Sequence, residues 1–148
     1  ARVLGEIVSR AGTLPHAAAR RIHVLAVPTT DREVNATVVN AVQRVSSVVT
    51  QRSLIEAFGL TVAEAMWKKA PVVASAVGGI RDQIDDGVDG VLVDPTDGVA
   101  WAEAVRDLLL FPERAQEMGL AAHESVRREF LSNRPLQDLL QIVSDLVG

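Results

Sequence analysis

Cysteine is absent from the sequence, which excludes both a disulfide framework and a thiolate metal site and agrees with a reducing, cytoplasmic setting. A long basic run is also lacking, and the formal net charge is −4, so the electrostatic footprint required for nucleic acid is missing. No apolar stretch reaches the length that spans a bilayer, and no membrane partner is expected. There is no internal repeat and no low-complexity segment. Histidine is sparse: His16, His23 and His123 have no ligand-like spacing, and no metal is expected. Asp85, Asp86 and Asp89 lack the twelve-residue calcium loop with its closing glutamate and read as turn formers beside glycine.

What is present suffices for one domain with a proper core: 148 residues, 48% of them hydrophobic. The chain opens at Ala1 without methionine, and its first residues read as part of an amphipathic helix rather than a signal peptide. This suggests a piece of a longer chain. Further on, strands and helices alternate. Ile22 to Val27 is a β-branched run closed by Pro28, and Thr29-Thr30-Asp31 offers caps for a helix over 31–44, with Val34, Val38, Ala41, Val42 and Val45 at helical spacing. Ser47 to Thr50 returns to extended character, Thr61 to Lys69 reads as a helix stopped by Pro71, and Val72-Val73-Ala74 as a buried strand. A short helix, Ile80 to Ile84, then precedes the turn 85–90 and a last strand, Val91-Leu92-Val93.

The final third is helical. Asp97 caps a helix with Trp101, Ala104, Val105 and Leu108 on one face, and Pro112 opens another that runs to about Phe130. Both tryptophans, Trp67 and Trp101, fall in helices and read as core. A third helix after Ser132-Asn133 carries Leu136, Leu139, Leu140, Val143 and Val147 on one stripe that needs covering, and a homodimer through this helix is one way to cover it. Strands separated by helices imply parallel pairing through crossovers. The expected fold is α/β: a Rossmann-like doubly wound parallel sheet with helices on both faces and a helical C-terminal third.

Ligands of such sheets bind beyond the carboxyl ends of the strands, where both Phe58-Gly59 and Gly78-Gly79 are placed. Residues 56–64, Glu-Ala-Phe-Gly-Leu-Thr-Val-Ala-Glu, put a carboxylate on each side of a Phe-Gly turn that feeds a helix start. Glycine allows close backbone approach, and the free N–H groups of a helix N-terminus form an anion site. That combination suits the diphosphate of a nucleotide-sugar, with Glu56 and Glu64 as hydroxyl acceptors on either side.

The run from Glu56 through Glu64 to Ala65-Met-Trp-Lys-Lys-Ala-Pro-Val-Val73, followed by Ala76-Val-Gly-Gly-Ile80, resembles the donor-site signature of the retaining glycosyltransferases of family four, whose fold is called GT-B. Within it, Asp31-Arg-Glu-Val-Asn-Ala36, Gln43-Arg44 and Ala65-Met-Trp-Lys68 are most similar to the trehalose glycosyltransferring synthases. The resemblance runs from about residue 20 onward and corresponds to the C-terminal donor-binding domain, with the N-terminal acceptor domain outside the chain. It implies that Glu56 with Phe58, Gly59 and Leu60 meets the donor sugar, that Thr61, Glu64, Gly78 and Gly79 meet the nucleotide, and that Glu64 takes the ribose. No cofactor is implied; NDP-glucose enters as a substrate, and a sugar acceptor is held by the absent domain. The family's diphosphate-neutralising Arg and Lys lie upstream of Ala1, so the isolated chain is expected to be inactive.

Other readings stand beside these. Thr61-Val62-Ala63-Glu64 also fits a capping box, with Glu64 reaching back to the Thr61 N–H. Glu56 fits a solvated loop carboxylate, and Gly78-Gly79 a turn needing positive φ. Arg52 and Arg81 lie near the two rim turns, where they could meet phosphate, whereas Arg127 and Arg128 read as a solvated face. Paired carboxylates also occur in glycosidases, at about 5 Å or 6.5–9.5 Å across a scissile bond, but here the second glutamate lies inside a helix. A non-catalytic nucleotide-binding or self-associating module is the alternative class.

Overall fold

The computed structural model describes residues 2–27, 29–131 and 141–145. They group into two compact units, Ala1–Val38 and Val39–Gly148. The first contains α1 (Arg2–Gly12), α2 (His16–Ala19) and the start of α3 (Arg32–Val45). The opening helix is amphipathic as expected. Asp31 caps α3, its carboxylate accepting from the N–H groups of Glu33 and Val34 at 3.1 and 3.0 Å. The expected strand at Ile22–Val27 does not form: this run joins no ladder, and Ile22, Val24 and Leu25 are exposed. A β-branched run becomes a strand only when a neighbour takes its backbone groups.

The second unit is built on three parallel strands in sequence order: β1 (Val49–Gln51), β2 (Val72–Ser75) and β3 (Val91–Val93). Val49 sits opposite Val72, and Val73 opposite Val91. The middle strand is buried throughout, as a strand covered on both faces must be. Its side chains alternate accordingly. Val72 and Ala74 pack with Val62, Ala65 and Met66 of α4 (Leu60–Trp67) and with Ala122 and Val126 of α6 (Pro112–Glu129). Val73 packs the other way, with Trp101 and Leu108 of α5 (Gly98–Leu110) and with Ala115 and Met118 of α6. Helices thus cover both sheet faces, and the final described third is helical.

Local chemistry sets the boundaries. Asp97 caps α5 through the amides of Val99 and Ala100 at 3.0 and 2.9 Å, and Pro112 occupies the first turn of α6. The segment expected as a helix over 80–84 is instead a 3₁₀ turn, Gly78–Ile80, extended by i→i+3 bonds as far as Gln83. The acidic turn behaves as a turn: Gly87 has φ 79°, Asp89 accepts from the Asp85 N–H at 2.7 Å, and Asp86 accepts from the Leu92 N–H at 2.8 Å. The apolar stripe assigned to 136–147 lies outside the described residues except for the helical stretch 141–145. Among the described residues no helix is long and apolar enough to cross a membrane.

Candidate functional site

β1 ends at Gln51, and residues 52–59 carry the chain along the carboxyl edge of the sheet to α4. Gly59 is the residue before the helix, with φ 89° and ψ 52°, and no side chain caps this end. The capping box therefore does not form: Thr61 already lies inside the helix, and Glu64 is left exposed to solvent. The carbonyl of Gly59 accepts from Val62 and Ala63 at 2.9 and 3.3 Å. Among the described residues, no protein acceptor takes the N–H of Phe58, Gly59, Leu60 or Thr61. Four consecutive amides at the positive end of a helix thus have no protein partner among the described residues.

The two glutamates differ in their surroundings. Glu56 is half-buried, and its carboxylate accepts from Ser53 Oγ at 3.3 Å, Ser53 itself accepting from Gln51 Nε2 at 2.9 Å. It is an oriented group, unlike a loosely solvated carboxylate. Phe58 is half-exposed and sets its ring edge-on to Phe130, centroids 5.8 Å apart. Leu60 and Thr61 are open to solvent at the helix start. These residues form a shelf along the rim, apart from a concavity of ≈ 640 Å³ at the α5–α6 corner lined by Leu110, Phe111, Pro112, Glu113, Arg114 and Glu117.

Gly78 and Gly79 lie against this shelf. A Cβ on Gly78 would stand 1.8 Å from the Glu56 carbonyl oxygen, and one on Gly79 would stand 2.3 Å from that of Ala57. The Gly79 N–H donates to Glu56 O at 3.3 Å. Gly78 also has φ 46°. The structure thus places the glycine pair directly behind the Glu56–Phe58 backbone, where only bare backbone fits.

Residues to which the sequence reading gave no place in the site complete the arrangement. Buried Gln43 of α3 donates from Nε2 to the Thr61 carbonyl at 3.3 Å and accepts from Lys68 Nζ at 2.5 Å. Ile80, fully buried, faces Gly59, whose Cβ would stand 2.8 Å from Ile80 Cγ1. Gln83, also buried, donates from Nε2 to the Phe58 carbonyl. A glutamine between the core residues Ile80 and Ile84 was the signal available in the sequence.

Of the two cations near the rim, Arg81 is exposed to solvent and Arg52 is engaged elsewhere. Arg52 donates from Nε to the Pro95 carbonyl at 2.8 Å and lies 5.8 Å from the centroid of the Trp101 ring. Asp94 holds that turn, accepting from the Thr96 N–H and hydroxyl at 2.7 and 2.6 Å, and these bonds lower its pKa below the usual carboxylate value. Trp101 is buried as expected, whereas Trp67 is half-exposed at the end of α4 and stacks on His123, centroids 4.4 Å apart. His123 donates from Nδ1 to the Trp67 carbonyl at 2.7 Å. Arg127 and Arg128 are solvated and pair with Glu124 and Glu129 at 2.8 and 2.7 Å. Among the described residues no acid and histidine cluster suits a metal.

Comparison with known proteins places this arrangement in a family. Residues 27–125 match the family described as glycosyl transferases group 1. The chain is 48% identical over 115 residues to trehalose synthase of Pyrococcus horikoshii, covering 78% of this chain and 27% of that protein. It is 49% identical over 115 residues to trehalose synthase of Rubrobacter xylanophilus, with the same coverage of 78% and 27%. In three dimensions it is similar to sucrose-phosphate synthase of Thermosynechococcus elongatus, with a TM-score of 0.73, 28% identity, and coverage of 99% of this chain and 34% of that one. The chain spans about a quarter of the length of the curated relatives it matches. Its sheet and helices form the Rossmann-like arrangement of GT-B glycosyltransferases, and the chain belongs to the group 1 glycosyltransferase family.

Proposed function

We propose that the chain is the donor-binding half of a retaining glycosyltransferase that forms trehalose from NDP-glucose and glucose. The observation that carries this reading is the run of four unclaimed amides from Phe58 to Thr61 at the start of α4, between Glu56 and Glu64. A diphosphate presents several anionic oxygens to such a helix end, which carries roughly half a positive charge. Glu56, steadied by Ser53, accepts hydrogen bonds from hydroxyls of the glucosyl ring. Glu64, one turn into the helix and open to solvent, accepts from the ribose.

In the transfer, the bond between the anomeric carbon and the diphosphate oxygen breaks, and the acceptor hydroxyl bonds to the same face of that carbon while its proton passes to the departing diphosphate. The amides steady the charge that grows on the leaving oxygen, and loss of one preorganised donor of this kind typically costs about 10²–10³ in rate. The acceptor, the cations that complete the diphosphate clamp and the remaining wall of the pocket belong, on this reading, to the rest of the enzyme. The relatives' length, about four times the matched segment, supports that division. The 148-residue chain alone should then bind a nucleoside diphosphate weakly and turn nothing over. Calorimetry with ADP, UDP and GDP, with and without glucose, tests the first part. A trehalose assay with the purified chain tests the second, and turnover by it would overturn the assignment of half a site.

A further inference from the structure

Gln83 is 4% exposed and lies between two core residues, Ile80 at 0% and Ile84 at 5%. Its side-chain nitrogen donates to the Phe58 carbonyl, and its Oε1 has no partner among the described residues. A buried acceptor left unmatched costs stability that an apolar side chain of the same size would not. The contribution that distinguishes glutamine here is therefore the bond to Phe58.

That bond acts on the joint of the shelf that carries a glycine. The peptide unit is planar and trans, so the Phe58 C=O and the Gly59 N–H point in opposite directions. The Phe58–Gly59 plane is also the easiest of the run to rotate, because glycine at 59 tolerates both signs of φ. A carbonyl held by Gln83 points the next N–H away from Gln83, where no protein acceptor waits.

We propose that Gln83 is a positioning residue that fixes the direction of the Gly59 N–H and so presets the amide row for an anionic oxygen. This rests on the reading of that row as a diphosphate site. Gln83 itself touches no substrate.

The test uses the 148-residue chain as wild type, Gln83→Met and Ile84→Val. The last trims the same core segment without touching the bond, and so controls for a merely structural effect. The chemical shifts of the Phe58 carbonyl and Gly59 amide are read by NMR, with affinity for ADP, UDP and GDP by calorimetry. Gln83→Met should move both resonances and weaken the diphosphate that binds best about tenfold, the effect of one lost hydrogen bond, while Ile84→Val leaves both readouts as in wild type. Unmoved resonances, or equal affinity in Gln83→Met, overturn the proposal. If wild type binds none of the diphosphates, the functional reading of the shelf fails. The two resonances then still decide whether Gln83 sets the Gly59 N–H.

Discussion

The Gly79 N–H donates to the Glu56 carbonyl at 3.3 Å, so the two glycine-bearing loops of the carboxyl rim lie backbone to backbone. The first prediction follows from how closely they lie. Gly79→Ala and Gly78→Ala should each destabilise by about 1–3 kcal/mol or more, because the added carbon meets a main-chain oxygen that cannot swing aside. Gly98→Ala, where a Cβ meets nothing within 4 Å, should be close to neutral. Urea denaturation of the three variants makes the comparison, and equal stabilities would contradict the packing.

Glu64→Gln separates ligand recognition from helix capping. No side chain caps α4, so the variant should keep the melting temperature of wild type while losing affinity for a nucleoside diphosphate. A lowered melting temperature with unchanged affinity would restore the capping role and remove the ribose role.

Lys69 stands where a glycine is favoured. Its φ is 63°, and around it Lys69 N bonds to Met66 O at 3.0 Å and Ala70 N to Ala65 O at 3.1 Å, the paired closure of a Schellman motif. Left-handed backbone strains a side chain with a Cβ. Lys69→Gly should stabilise the chain by about 0.5–1 kcal/mol, the left-handed strain less the added freedom of the unfolded glycine, read as a higher denaturation midpoint at unchanged slope. A lower midpoint would refute it.

Asp97→Ala should destabilise by about 1 kcal/mol, since two N–H groups at the start of α5 lose their acceptor. Asp97→Asn keeps the acceptor oxygen and should recover most of that loss. Identical denaturation curves for Asp97→Ala and wild type would count against the cap.

Acid sensitivity should trace in part to Asp94. Its hydrogen bonds to Thr96 lower its pKa in the folded chain below the ordinary 3.8. The unfolded state therefore takes up this proton first as pH falls. The stabilisation is complete above pH 3.8 and is lost as pH falls through the depressed value. Asp94→Asn should flatten this part of the acid limb of melting temperature against pH, and an unchanged limb would show that the Thr96 bonds carry no linkage.

The legibility of the chain varies with the reach of each signal. Val72-Val73-Ala74, Val91-Leu92-Val93, Asp97 and Pro112 were readable because periodicity, capping and the N1 preference are local properties. The Glu56–Glu64 segment was readable as a rim turn entering a helix for the same reason. Ile22–Val27 is ambiguous in the sequence, because the same run serves a strand or an unpaired segment, depending on a neighbour the run does not encode. The Thr61–Glu64 pattern matched a capping box, yet Gly59 took the helix start and left Thr61 inside. Gly78 and Gly79 were readable as a turn, but not as the support beneath Glu56, since what a missing Cβ would strike is a property of packing. The role of Gln83 is not legible in the sequence because its partner, Phe58, lies 25 residues away.

Gly119 of α6 lies where a Cβ would come within 2.2 Å of the Lys69 carbonyl, and this contact sets an index for α4. The helix is seated at its far end by that notch and by His123 beneath Trp67, and it meets the glycine loop at its start. Each residue of an α-helix advances the azimuth by roughly 100°. Slippage of α4 by a single position would therefore turn Glu64 through about a quarter turn, so a glycine on a distant helix sets the azimuth of that carboxylate.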